Sequence, residues 1–305
     1  MKKFEKLMLL VPLLALAACT KASDPAISVY TRDTTSGTRD GFMTAIGYSA
    51  AKTDNSKLAK GYIQVASNGD MISSVKNDVN GIGYISLSTL ATAGVSGLSY
   101  EGVKPSEASV LDGSYKMTRN FNYIVRASYT NDKVAQIVAA YRAFLGTSDA
   151  KATMKQLGGI LTIAASDPTW ASIKANYAIA AEDNKAITIH FGGSTSVEEM
   201  AKALSKEFAP LCGNFVAEHN HTGSGDAYKR TQGADKDSSS ALDIAYASRE
   251  FSSSEAAATG TTGKMCTDAI VSAINTKNTK ITNITAAQLK GIYAGTITKW
   301  SELAK

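Results

Sequence analysis

Four short segments of this chain combine the residue types that hold an oxyanion: Thr35-Ser36-Gly37-Thr38, Gly192-Gly193-Ser194-Thr195-Ser196, Thr222-Gly223-Ser224-Gly225 and Ala247-Ser248-Arg249. Each follows a run that reads as a strand and stands before a stretch expected to be helical. The first turn of a helix leaves backbone N–H groups unpaired and carries about half a positive charge, so such an end takes phosphate or sulfate readily. Glycine lets the backbone come close, and serine or threonine adds a hydroxyl. Arg32 and Arg249 stand beside two of the turns and offer forked donors that suit an oxyanion. One such turn is ordinarily a capped helix start. Several together could supply the four or five charge-assisted hydrogen bonds, each about 1.5–3 kcal/mol, that micromolar binding at about −8 kcal/mol requires.

The elements around these turns alternate in type. "AISVYT" reads as a strand, and "GDMISSVKNDVNGIGYISLS" as a helix broken at Gly81 before a strand. "TNDKVAQIVAAYRAFLG" places Val134, Ile137, Val138, Tyr141 and Leu145 on one helical face with Gly146 as its stop. Further on, Val197, Met200, Ala201, Leu204 and Phe208 form a second apolar stripe, with Ser196 and Glu199 spaced as a capping box. "DAIVSAIN" is a strand, and Thr285 opens a closing helix with Leu289, Ile292 and Tyr293 inward. Such alternation predicts an α/β fold. Residues 150–186 have little periodicity and read as a surface crossing or long link.

The first 18 residues carry lysines, an apolar run and small residues, the pattern of an export signal. The rest of the chain is longer than one core usually organises, so two domains are expected: a lobe over 27–116 and a second over 117–305 that includes the link. The net charge of +5 is dispersed and gives no ground for a nucleic-acid partner. Cys212 and Cys266 read equally as a disulfide or as two buried free thiols.

"LAAC", Leu16 to Cys19, resembles the bacterial lipobox, which implies lipidation of Cys19, a lipid-anchored tether over 19–26 and residence on the outer face of the cytoplasmic membrane. The polar turns belong to a larger set of segments: "RDTTSGT", "NGIGYIS", "VKPSEASVLDGSYKMTR", "GGSTSV", "TGSGD", "ASRE" and "GTITKW". Together they resemble the PstS-type phosphate-binding proteins of ABC uptake systems over nearly all of the chain beyond the leader. The resemblance implies a two-lobed type II periplasmic-binding-protein-like fold, inorganic phosphate as ligand, ABC permease subunits as partners, a monomer, and neither cofactor nor metal. It implies phosphate contacts from Arg32, Ser36, Gly37 and Thr38 on one lobe, and from Thr195, Ser196, Ser224 and Arg249 on the other. Some family members carry an aspartate near Arg249 that accepts the proton of hydrogen phosphate; here Asp33 and Asp226 are the nearest substitutes.

The order of segments differs from the family's, which runs from GSTSV to the tryptophan and then from the R-x-x-x-SGT turn onward. The chain therefore resembles a circular permutation, with the family's natural ends joined through 150–186. Its new ends fall between Trp300 and Ile27, at what is expected to be an interlobe crossover, with Ala26 and Trp300 side by side.

An enzyme fits less well. No G-x-S-x-G nucleophile elbow is present, and "GTTGKM" lacks both the first glycine and the final Ser/Thr of a P-loop. Action on a phosphate ester and binding of another oxyanion, such as sulfate, stand as the alternatives. His219 and His221 could share a metal with His190, although solvated histidines at a strand end are the expected reading.

Overall fold

A computed structural model describes residues 24–303, so the expected leader, Cys19 and most of the expected tether lie outside the described residues. In chain order the elements begin β1 (Ser28–Arg32), α1 (Gly37–Ala45), β2 (Ile63–Val65), α2 (Asn68–Asn77), β3 (Gly81–Ser86) and α3 (Leu87–Ala93). Two short strands, β4 (Ser96–Gly97) and β5 (Ser99–Tyr100), precede α4 (Glu107–Leu111) and β6 (Thr118–Val125). Next come α5 (Asp132–Leu145), α6 (Ser148–Gln156), α7 (Trp170–Ile173), β7 (Thr188–Gly193) and α8 (Glu198–Phe208). The remainder is β8 (Val216–Asn220), α9 (Gly225–Thr231), β9 (Ile244–Ala247), β10 (Thr262–Ile274), β11 (Asn283–Ile284) and α10 (Ala286–Ala294).

One mixed sheet runs β2-β1-β3-β10-β6-β9-β7-β8, with β4 also on β10. Strand β10 belongs to both halves: Thr262 to Ala269 pair with β6, and Ile270 to Ile274 pair with β3. Each half packs its own core. Phe42, Ile82, Tyr84, Met117 and Ile270 lie in the first. Tyr141, Phe144, Phe191, Leu204 and Phe208 lie in the second, where the apolar stripes of α5 and α8 meet β7. The α/β class and its two lobes thus follow from alternating strands and one-sided helices, since each apolar face must be covered.

The division between lobes differs from the expected one. Ile284, Leu289, Ile292, Tyr293, Trp300 and Leu303 pack into the first core, so the C-terminal stretch belongs with residues 27–117 and not with the second lobe. Phe42 shows why: its ring lies 4.1 Å from Tyr84 and 4.9 Å from Tyr293, so one aromatic cluster needs both ends of the chain. The chain passes between lobes twice, just before β6 and within β10, and both passages are continuous. Residues 150–186 are a second correction. Far from a loose link, they carry Trp170 and Ile179 into the second core, with Trp170 packed 4.9 Å from Phe208, and Ile160 bridges Thr267. Cys212 and Cys266 are both buried free thiols, and burial pushes the Cys212 thiol up to about 11.

The two ends of the described chain lie together. Ala26 forms an antiparallel bridge with Lys299, and Ile27 N donates to Thr298 O at 2.8 Å. Both belong to the first lobe, so the open junction is not an interlobe crossover as expected. Termini so close on one surface tolerate relocation. A variant with Leu303 joined to Asp24 by a short flexible linker and the chain opened between Ala165 and Ser166, which are exposed, should unfold cooperatively with a thermal midpoint within several degrees of the parent. Loss of the cooperative transition would contradict the placement of the ends.

Candidate functional site

The anion-ready turns converge where the lobes meet. On the first lobe, the end of β1 is fixed from two sides. Tyr84 Oη accepts from Arg32 N at 2.9 Å and bonds Thr31 Oγ1 at 2.8 Å, while Arg39 Nη1 donates to Arg32 O at 2.9 Å. The Arg32 side chain is buried; Nη2 donates to Ala66 O at 2.8 Å and lies 3.6 Å from Asp33 Oδ2. Its Nε and Nη1 have no hydrogen-bond partner among the described residues. Burial lowers the pKa of this guanidinium while Asp33 opposes the change, so a charge is held in place with donors to spare. Ser36 caps α1 by accepting from Arg39 N at 3.4 Å, and Thr38 follows on the first turn of the helix.

On the second lobe, Gly193 has a φ of +92°, and a Cβ there would fall 2.3 Å from Tyr246 O, so this turn can be made only with glycine. The turn directs Ser194 and Ser196 inward. Ser194 Oγ lies 3.0 Å from Ser248 Oγ, and Ser224 Oγ lies 3.1 Å from the same oxygen. Ser224 Oγ also accepts from Ser248 N at 2.9 Å. Arg119, at the start of β6, donates to Ser196 Oγ at 3.1 Å and Ser248 Oγ at 3.2 Å, and its Nε and Nη2 reach Asp268 Oδ2 at 3.0 and 2.9 Å. The lobes touch directly: Thr38 Oγ1 to Ser196 Oγ at 3.0 Å, Asn68 Nδ2 to Ser196 Oγ at 3.1 Å, and Gly225 N to Thr35 O at 3.0 Å. The cleft is closed. A cavity of about 740 Å³ lined by Ser36, Asp40, Lys116, Arg119 and Arg249 leads outward from it.

Arg32, Ser36, Gly37, Thr38, Ser196 and Ser224 are thus brought together as expected from the motifs. Thr195 lines, together with Ser196, Glu199 and Met200, a neighbouring cavity. Arg249 is held away by a bidentate pair with Glu255 at 2.6 and 2.8 Å, leaving Ser248 in the cluster. No helix follows this turn. Asp33 Oδ1 accepts from Thr35 N at 2.9 Å, and Asp226 accepts from the Thr222 hydroxyl, so each of these carboxylates serves its own turn. Ser196 does not cap α8, whose N-cap is Val197; its hydroxyl is used across the cleft instead.

Sequence reading missed Arg119, Asn68, Ser194, Ser248 and Asp268. Arg119 was available as the last residue of "VKPSEASVLDGSYKMTR" and Ser248 as the middle of "ASR", but Asn68 reads only as a helix start, and Asp268 as one charge in an apolar strand. The histidines also differ from expectation. His219 and His221 are partly buried, and their stacked rings form a chain from Ser205 Oγ through His219 (2.9 Å) and His221 (3.1 Å) to Ser194 O (3.1 Å). Burial, then the neighbouring His221, brings His219 down to about 4, so it stays neutral at ordinary pH. His190 is exposed beside Asp243 and Glu218, and among the described residues no three His, Cys, Asp or Glu side chains cluster as metal ligands.

Two α/β lobes joined by two strand passages, with polar turns facing across a closed cleft, define a periplasmic-binding-protein-like fold. The sequence profile of the PBP superfamily domain matches residues 178–305. Two curated relatives extend the likeness along the chain. "Phosphate-binding protein PstS 2" of Streptococcus pneumoniae serotype 4 is 26% identical over 307 residues, covering 94% of this chain and 91% of that protein. The protein of the same name from Streptococcus agalactiae serotype V is 23% identical over 297 residues, covering 95% and 93%. Among solved structures, a phosphate ABC transporter phosphate-binding protein from S. pneumoniae TIGR4 superposes with a TM-score of 0.63 at 23% identity, over 91% of this chain and 99% of that one. The fold is therefore periplasmic-binding-protein-like, and the likeness to PstS-type proteins read from the motifs extends over the chain as a whole.

Gly37 marks a tight approach of the lobes, because a Cβ there would lie 2.6 Å from both Ser224 Oγ and Ser248 Oγ. Gly37→Ala should hold the cleft ajar, weakening oxyanion binding at least tenfold in calorimetry while the thermal midpoint of the free protein stays within a few degrees. Unchanged affinity would place the ligand elsewhere.

Proposed function

We propose that this chain is an extracytoplasmic solute-binding protein that captures inorganic phosphate between its lobes and delivers it to an ABC permease. The observation that carries the reading is Arg32: a buried guanidinium with two donor nitrogens unpartnered among the described residues, bonded to Ala66 O two residues before Asn68, whose side chain reaches Ser196 Oγ of the other lobe. A tetrahedral oxyanion would accept from Arg32, from the start of α1 at Gly37 and Thr38, and from Ser196 and Ser224 across the cleft. Because only the closed form brings both sets together, the ligand stabilises closure by its differential affinity for that form. No step of this scheme makes or breaks a covalent bond. The protein acts as a monomer, and its dispersed charge gives nucleic acid no surface to hold.

Three finer points belong to the same reading. Cys19 is the lipidation site that tethers the protein to the outer face of the cytoplasmic membrane. The order of segments is a circular permutation relative to the wider family, supported by the neighbouring ends in one lobe. The matches to the streptococcal relatives run continuously over most of both chains, so those proteins share this order. A second reading, another oxyanion such as sulfate, draws support from Asp33 and Asp226 each bonding within its own turn through one carboxylate oxygen.

Calorimetry of the leader-free protein with phosphate, sulfate and a phosphate ester separates these readings. Phosphate should bind with micromolar or tighter affinity, and Arg32→Ala should weaken it at least 100-fold with the fold intact; sulfate binding tighter than phosphate would favour the second reading, and turnover of the ester an enzyme. Cys19→Ser should move the protein from the membrane fraction to the soluble extracytoplasmic fraction. Retention in the membrane fraction would exclude Cys19 as the anchor.

A further inference from the structure

We infer that Arg119 is a second anion-binding arginine of the cleft, supplied by the hinge between the lobes and held on target by Asp268. The inference rests on the oxyanion reading above and assigns to its site a residue that belongs to neither opposing turn. Arg119 stands where β6 leaves the first lobe, directly opposite Asp268 in the register of β6 and β10, and those two strands carry both passages between the lobes. Its side chain is 3% exposed and that of Asp268 is 0% exposed.

The guanidinium is used on two edges. One faces Asp268 Oδ2 through Nε and Nη2 at 3.0 and 2.9 Å; the other reaches Ser248 Oγ and Ser196 Oγ at 3.2 and 3.1 Å. An ion pair serving only to brace the hinge would need the first edge alone. The second ends on hydroxyls of two separate turns, each also engaged by other groups. Asn68 Nδ2 and Arg119 Nη2 can only donate, so Ser196 Oγ accepts from both and its single hydrogen is left for Thr38 Oγ1 at 3.0 Å. Ser248 Oγ likewise accepts from Arg119 while Ser194 and Ser224 press on it at 3.0 and 3.1 Å.

Ser196 Oγ thus accepts all it can, and Arg32 adds two donor nitrogens that have no partner among the described residues; around the closed cleft Asn68 Oδ1 and Asp268 Oδ1 are the buried acceptors left unpartnered. Each of the two arginines has a carboxylate behind it, Asp33 at 3.6 Å and Asp268 at 2.9 Å; in front, Arg32 has two donor nitrogens unpartnered among the described residues, and Arg119 rests on the Ser196 and Ser248 hydroxyls, which an anion would share or displace. A small anion with several acceptor oxygens meets that arrangement, and a neutral solute does not. Arginine suits the position because its planar fork spans two acceptors at once, which a lysine ammonium cannot do in the same way.

Removing Arg119 alone would leave Asp268 buried and uncompensated, which endangers the fold. The informative pair is therefore Asp268→Asn against the double variant Arg119→Met with Asp268→Asn, since both lack the ion pair and only one keeps the arginine. Inorganic phosphate is titrated calorimetrically into each, and thermal midpoints are recorded alongside. Asp268→Asn should lose less than tenfold in affinity through a less firmly held Arg119, whereas the double variant should lose at least 100-fold at a similar midpoint. Affinities of the two variants within threefold of one another would overturn the inference. If Asp268→Asn does not fold, Arg119→Lys in the parent decides: a loss of tenfold or more with an unchanged midpoint supports the assignment, and unaltered affinity overturns it. A parent protein that binds no oxyanion would instead overturn the proposed function itself.

Discussion

Burying a guanidinium without a full set of partners is among the costlier things a folded chain can do, because the charge loses water and its unpaired N–H groups lose hydrogen bonds together. Among the described residues Arg32 is in that position, and much of the surrounding structure serves to keep it there. Arg39, itself buried and bonded to Ala51 O and Asn55 Oδ1, holds the carbonyl of Arg32. Tyr84, stacked on Phe42 in the first core, accepts from its amide. The first lobe is thus a mount for one cation, and its aromatic cluster transmits rigidity from Tyr293 near one end of the chain to Arg32 near the other.

The second lobe answers with hydroxyls and no charge of its own at the point of contact. Ser194, Ser196, Ser224 and Ser248 come from three turns at the ends of neighbouring strands, brought together because β7, β8 and β9 are parallel and adjacent. Helix-start turns at the carboxyl ends of parallel strands form a natural crevice for anions. Between the lobes stand Arg119 and Asp268, on the only described strands that serve both. An anion seated here would meet one cation from a lobe, one from the hinge, and hydroxyls that adapt as donor or acceptor, so its charge would favour closure and its shape would select among closed forms.

Much of this was legible in the sequence, for identifiable reasons. The α/β class and the helices at 132–145 and 198–208 follow from apolar periodicity, which depends only on neighbouring residues. Arg32 and the Ser36-Gly37-Thr38 turn were visible because side chain, cap and helix start are adjacent in sequence. What failed was long-range. Whether Ser248 or Arg249 faces the cleft depends on the twist at the end of β9 and on Glu255, which claims the arginine. Ser196 looked like a cap because local spacing allowed it, but Thr38, more than 150 residues away, claimed the hydroxyl. The lobe boundary was misplaced because Leu289 and Tyr293 give the same stripe whichever core they enter. The low periodicity of 150–186 hid Trp170, a single anchor that fixes an irregular segment without any repeat to announce it.

The central claim is that an oxyanion bridging Arg32 and the serine turns holds the lobes closed. Small-angle X-ray scattering of the protein from residue 24 onward, across a phosphate titration, tests this most directly. The radius of gyration should fall as phosphate is added and saturate at the same concentration as binding. A radius that stays constant while phosphate binds would contradict the claim, because the anion would then be held without bringing the two halves together.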